Sequence, residues 1–426
     1  MNKLKNTLNE MIYTDTCDNG LKIVVWHKPD FATTACLFAT PYGSLDSSQK
    51  TSDNQILSFP EGIAHFLEHK LFESEEGDVM NEYSALGANV NAFTSYNETV
   101  YYFDTSDEDV DKPLNLLLDF VQDLRITEQS VEKEKGIICQ ELNMYLEMPD
   151  SRLIFETFKS MYKNHPIKND IGGTCDSVNK TTKQDLETCY SLNYHPQKMT
   201  LIAVTPKNPE MIIQLIKENQ ARKTFPEFKE IKRYFDKEPN EVLLQEKIIH
   251  MDVQNQKTCI GFKFSGLNQT DLNRVKTDWA FRFIFESHFT TMNPDYQKWI
   301  TNHKISPYFD YESEFSKDYA LTLFFDEGIN EKEFEQFILD EIQTLKEKGI
   351  SKEALMQLKN RSLGETLSVF NQPDNITVQY FRHELTGVNM FETIDVIKNL
   401  TVEDCNEIVK EMDFSNYSIS IIKSAQ

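Results

Sequence analysis

Two stretches of this 426-residue chain spell the same local structure, and that repetition narrows its possible folds more than anything else in it. TTKQDLETCYSLNYHPQKMTLIAV, from Thr181, and LTVEDCNEIVKEMDFSNYSISII, from Leu400, both read as a capped helix, a short turn and a strand. Thr182 aligns with Thr401 at an offset of 219, and Thr200 with Ser418 at 218. A threonine with an acid three residues later is a capping box and recurs by chance. Its shared position at the end of each half favours duplication instead. Two α/β domains are therefore expected, residues 1–225 and 247–426, joined by a charged, proline-bearing connector over 226–246.

Within the first half, apolar and β-branched runs predict strands at 21–27 and 33–40, ahead of the turn Pro41-Tyr42-Gly43-Ser44. Helices are expected over 62–72 and 78–86, the second stopped by Gly87, with strands at 89–94 and 99–104 after them. From 107 to 147 the period is helical, with Leu114, Leu117, Leu118 and Val121 in one stripe and Val131, Ile138, Leu142 and Leu146 in another, broken at Pro149.

A net charge of −24 opposes binding to nucleic acid, whose phosphates call for clustered Lys and Arg. Such acidity suits a basic peptide, and equally a surface kept solvated by like charge. The N-terminal MNKLKNTLNEMIYTDT has no apolar signal-peptide core, and no run approaches the roughly 20 apolar residues of a membrane span, so a cytoplasmic location is expected. The seven cysteines are scattered and odd in number, as reduced thiols would be.

His65-Phe66-Leu67-Glu68-His69 carries the chemistry. Histidines at i and i+4 project from one helix face about 6 Å apart and can share an ion, with Glu68 beside them. A catalytic zinc wants three protein ligands and an open position for water, so a third ligand and a separate base are both required. The alternative is a pair of surface histidines. Against it, Phe66 and Leu67 set an apolar side against a core while the ligand face looks outward.

Taken with GANVNAFTSYNETVYYF and VEKEKGIICQELNMYLEMPD, in that order and spacing, the motif is the inverted zinc signature of the inverzincins. Residues 19–150 resemble the pitrilysin/insulinase family, which includes the mitochondrial processing peptidase and half-size bacterial peptidases. The resemblance implies two homologous domains, each a mostly antiparallel sheet covered by helices, that form half of a clam-shell chamber. It implies one zinc per chain, held by His65, His69 and Glu141, which lies 72 residues past His69. Glu134, seven residues earlier, would support the metal site, and Glu68 would act as the base. An ordinary acidic helix face is the alternative for Glu134 and Glu141, since Glu128, Glu132 and Glu147 flank them.

The alternation in GANVNAFTSYN reads as an edge strand able to accept an extended peptide, or as one covered by a loop. The family places substrate against the equivalents of Asn91, Ala92 and Phe93. It also carries an arginine and a tyrosine seven residues apart in the C-terminal half. Tyr308 fits the tyrosine, but Thr301 stands where the arginine is expected. The implied function is a zinc endopeptidase subunit acting on short unstructured peptides, such as precursors or leaders of secreted or antimicrobial peptides. Two other readings stay open: a scaffold subunit without turnover, and peptide binding without cleavage. Half-size family members imply a dimer, preferably with a relative that supplies the Arg/Tyr pair, otherwise with a second copy.

Overall fold

The apolar runs of the first half become a seven-stranded sheet. Its strands are β1 (Asn2–Lys5), β2 (Met11–Thr16), β3 (Lys22–His27), β4 (Thr34–Thr40), β5 (Ala88–Thr94), β6 (Thr99–Thr105) and β7 (Thr200–Thr205). The spatial order is β1-β2-β3-β7-β4-β6-β5, antiparallel except where β7 runs parallel to β3. The second half forms a five-stranded sheet from β8 (Glu246–Met251), β9 (Lys257–Phe264), β10 (Asp310–Phe315), β11 (Ala320–Glu327) and β12 (Tyr417–Ser424). Its order is β8-β12-β9-β11-β10, with β12 parallel to β8. Strand for strand this repeats β3-β7-β4-β6-β5, so the duplication extends to topology. The computed structural model describes residues 1–5, 10–74, 77–106, 109–264 and 269–425. Residues 107 and 108, where one helical expectation starts, lie outside these.

The repeated unit ends both halves. Thr182 caps the helix Lys183–Asn193 by accepting from the Asp185 N–H at 3.1 Å, and Asp185 accepts from the Thr182 N–H at 2.9 Å. Thr401 and Asp404 do the same for Val402–Glu411, at 3.1 and 3.0 Å. Each cap satisfies two backbone donors that a helix start would otherwise leave bare.

Four helices build the site side of the first sheet: α1 (Ile63–Leu71), α2 (Val79–Ala85), α3 (Asp111–Val121) and α4 (Glu128–Glu147). Ile23, Val25, Cys36, Phe38, Tyr101, Phe103, Leu201 and Ala203 share one core with α1, α3 and α4. Residues of the opposite parity, such as Val24, Trp26, Leu37, Val100 and Ile202, are equally buried. With both faces covered, β4 carries an unbroken buried run, TACLFAT, rather than an alternating one.

Which helices do the covering was not legible. The chain divides into two compact units: Met1–Asn143 with Asp170–Phe235 and Val369–Leu385, and Met144–Asn169 with Asp236–Ser368 and Thr386–Gln426. The main change of unit falls at 235/236, inside the expected connector. Two segments trade places. The helix α5 (Pro149–Met161), from the first half of the sequence, packs on β9 and β12 of the second unit. The helix α6 (Pro373–Thr386), from the second half, brings Tyr380 to within 6.2 Å of Trp26, on the far side of the first sheet. Among the described residues no helix is long and apolar enough to cross a membrane, and all seven cysteines are free.

Candidate metal centre

The helix α1 starts at Gly62, whose φ of +85° lies in the left-handed region that glycine adopts without strain. A Cβ there would stand 2.0 Å from the Gly172 carbonyl oxygen, so the chain 170–173 packs directly on the helix start. Ile63, Ala64, Phe66, Leu67 and Leu71 are buried in the core. That orientation turns His65, Glu68 and His69 to the other side of the helix, where α4 passes. On α4, Val131, Ile138 and Leu142 form the buried seam, and Glu134 and Glu141 lie seven residues apart, two turns along one stripe beside it.

Side chains of His65, His69 and Glu141 converge, with one ligand atom of each within 4.8 Å of the others. Glu141 Oε2 lies 3.8 Å from His65 Nε2 and 3.5 Å from His69 Nε2. Two ligands of one tetrahedral zinc, each at about 2.0–2.2 Å, stand roughly 3.3–3.6 Å apart, so the separations of Glu141 from the two imidazoles come within a few tenths of an ångström of those such an ion sets. Two imidazoles and a carboxylate are also the donor set zinc takes at catalytic sites.

The groups around the trio are shifted in different directions. Glu134 Oε1 lies 3.0 Å from His69 Nδ1. This bond holds the Glu134 carboxyl below its usual range and places the proton on Nδ1, leaving the Nε2 lone pair aimed at Glu141. Burial by itself pushes His69 down, but the bond to Glu134 and the surrounding carboxylates outweigh it and raise its pKa. His65 is buried more completely and lacks such a bond. Burial, then repulsion from His69, lowers its pKa to about 4, so at neutral pH it is an uncharged imidazole. Its Nδ1 is a buried polar atom without a partner. Gly172 closes that side of the ring, since a Cβ there would stand 3.4 Å from Nδ1.

Glu68 points elsewhere. Its Oε2 accepts from the Thr94 hydroxyl at 2.7 Å, and Thr94 is the last residue of β5. Burial raises the Glu68 carboxyl, with the Thr94 contacts pulling the other way. β5 is an outer strand of its sheet, as the alternation predicted, and among the described residues it pairs on one side only, with β6. Register places Asn91 opposite Tyr102 and Phe93 opposite Val100, whereas Ala92 and Thr94 stand opposite Tyr101 and Thr99. Tyr101 belongs to the core beneath α1, so Ala92 and Thr94 look towards the metal side and Asn91 and Phe93 away from it.

Tyr308 and Thr301 belong to the second unit. The Tyr308 side chain is 69% exposed. Thr301 ends a short helix, its hydroxyl donating to the Gln297 carbonyl at 2.8 Å. Three contributors were missed in the sequence. Thr94 shares the period-two face of Ala92 and was open to notice. Lys70 directly follows His69, is 2% exposed, and sets its Nζ 3.7 Å from Glu134 Oε2. Gly172 gave no local signal at all.

A two-unit α/β fold with an HxxEH helix, a glutamate from a second helix and an open sheet edge beside them defines an inverted-motif zinc-peptidase class. The chain belongs to peptidase family M16, the insulinase family. Residues 58–175 match the model for insulinase (peptidase family M16), and residues 180–362 match that for the peptidase M16 inactive domain. An uncharacterized zinc protease of Bacillus subtilis (strain 168), YmfH, is 37% identical over 409 residues, 95% of this chain and 94% of that protein. The crystal structure of an M16-like peptidase from Alicyclobacillus acidocaldarius matches with a TM-score of 0.91 at 31% identity, covering 99% of this chain and 100% of that one. A probable mitochondrial-processing peptidase subunit beta of Schizosaccharomyces pombe is 27% identical over 206 residues, 47% of this chain and 43% of that protein.

Proposed function

We propose that this chain is the catalytic subunit of a zinc endopeptidase that cuts short, extended peptides. One observation carries the reading: His65, His69 and Glu141 converge within 4.8 Å while Glu68, on the same helix, stays out of the trio and is held by Thr94 at the end of an outer strand. His65, His69 and Glu141 would hold the zinc ion, which when bound would supply a Lewis acid able to lower the pKa of a water and polarise a peptide carbonyl. Glu68, with its carboxyl raised by burial, accepts the proton of the attacking water and returns it to the leaving amine. Lys70 and Glu134 orient His69.

A substrate lies along β5 as an added strand beside Asn91, Ala92 and Phe93, so pairing selects for extended backbone more than for sequence. The two halves of the chain act as homologous domains, the first bearing zinc and the second none. Completion of the site falls to a partner, since Thr301 occupies the position assigned to an arginine and Tyr308 alone remains. A half-size relative with the Arg/Tyr pair is the preferred partner, and a precursor of a secreted peptide in the cytoplasm the preferred substrate. The fission-yeast relative, described as a subunit, supports the pairing. All four zinc-site positions are filled, which favours turnover over a scaffold role.

The test is Glu68→Gln. The variant keeps about one zinc per chain and loses hydrolysis of an unstructured peptide by a factor on the order of 10²–10⁴. Full activity in Glu68→Gln removes the base from the scheme.

A further inference from the structure

The face of β5 turned away from the metal carries a cation. Arg382, on α6, sets its guanidinium 5.5 Å from the centre of the Phe93 ring. Its Nε donates to Glu98 Oε1 at 2.8 Å, and Glu98 is 4% exposed, in the turn that joins β5 to β6. The Arg382 side chain itself is 48% exposed. One edge of the guanidinium is thus anchored by a buried carboxylate and one flank rests on an aromatic ring. Such an arginine has few rotamers to lose on meeting a ligand, and it still presents N–H donors to solvent.

We infer that Arg382 and Phe93 form a subsite for an acidic side chain of the bound peptide. This rests on the proposed docking of an extended peptide along β5. Side chains of an added strand alternate between the two faces of the sheet. A substrate residue on the side of Ala92 and Thr94 shares the face of Glu68 and the metal trio. The residue next to it points to the side of Asn91 and Phe93, where cross-strand neighbours stand about 4.5–5.5 Å apart at Cβ. A carboxylate there reaches the open edge of the guanidinium, whose planar fork matches it in shape. The chain as a whole, at −24, repels acidic peptides. A preference for acid at one position only, next to the cut, is therefore the mark of this local cation and not of the general field, which salt screens beyond about 8 Å.

The experiment uses the zinc-loaded full chain and labelled, unstructured ten-residue peptides that differ only by Glu, Gln or Lys at one position, moved along the sequence. Binding is read by anisotropy on Glu68→Gln, and the ratio of kcat/KM values on the unsubstituted chain. Expected is one position at which Glu is favoured over Gln by roughly fivefold and Lys is disfavoured, a size suited to a half-exposed ion pair. The double variant Arg382→Gln/Glu98→Gln removes both charges without stranding a buried carboxylate, and in it that ratio falls to about one, with the melting temperature checking the fold. Arg382→Lys keeps the charge, loses the fork and retains part of the preference. Equal treatment of Glu and Gln at every position, or a preference that survives in the double variant, overturns the subsite while leaving a peptidase in place. A charge preference in binding with no hydrolysis of any peptide does the reverse.

Discussion

At the scale of single residues, three carboxylates surround two imidazoles and their surroundings set them apart. Glu134 is held ionised by its bond to His69, while burial pushes Glu68 towards the protonated form. Glu141 faces the Nε2 atoms of both rings. Titratable groups driven in opposite directions within one cluster are how a site divides ligand, base and orienting duties. The variants should separate accordingly. Glu141→Ala, like His65→Ala or His69→Ala, is expected to lose tight zinc in a chelator competition. Glu134→Ala is expected to keep the metal with about 10–100-fold lower affinity, because it removes only the group that orients a ligand. Tight zinc in Glu141→Ala combined with loss in Glu134→Ala would transfer the third-ligand role to Glu134.

At the scale of elements, an ion pair between buried Lys263 and partly buried Glu238 braces the seat of α5 on the second sheet. Gly261 of β9 leaves room for the helix, since a Cβ there would meet Met161 Sδ at 2.4 Å and Thr157 Cγ2 at 2.8 Å. Two residues on, Lys263 is 3% exposed and contacts Glu238 Oε1 at 2.6 Å, donating also to the carbonyl oxygens of Met161, Pro239 and Glu241. Glu238 in turn accepts from the backbone N–H groups of Lys163, Asn164 and His165, just past the end of α5. Lys263→Met takes the cation from that partly exposed carboxylate and leaves it only its backbone donors, so a loss of about 1–3 kcal/mol is expected in denaturant unfolding of the second unit, with partial recovery in Lys263→Met/Glu238→Gln. Burial works to raise the Glu238 carboxyl, but Lys263 and the three N–H donors prevail and lower it. A lowered carboxyl gives stability that is present above its unfolded value of about 4.3 and fades as pH falls through the folded value. Acid unfolding of Glu238→Gln should lack this contribution, and an identical acid profile in both proteins would contradict it.

At the scale of the molecule, each half repeats one five-strand order, and each unit takes one helix from the other half of the sequence. The match to YmfH spans 94% of that protein. In the proposed scheme a lone copy leaves the metal open to water, which competes for every polar contact that would stabilise the transition state. In that scheme a homodimer would close the site but would bring Thr301 twice. We therefore expect the isolated chain to hydrolyse an unstructured peptide slowly, and a half-size partner carrying the Arg/Tyr pair to raise the rate on the order of a hundredfold. The partner's arginine-to-alanine variant should bind without activating, and a stable folded domain offered as substrate should be excluded. Vigorous hydrolysis by a chain that sediments as a monomer would refute the pairing.

The sequence by itself determined whatever rests on short-range periodicity. The spacing of His65, Glu68 and His69 sets them on one side of α1 because a helix repeats every 3.6 residues. The alternation of β5 and the paired capping boxes are legible for the same reason. Glu141 was reachable only through family resemblance, because no local rule links residues 72 apart. Tertiary structure alone decided that Thr94 meets Glu68, that Lys70 backs Glu134, that Gly172 closes on His65, and that Arg382 reaches Phe93 from the other end of the chain. An apolar stripe states that a face must be covered, not which segment covers it. The trade of α5 and α6 between the halves follows from packing alone.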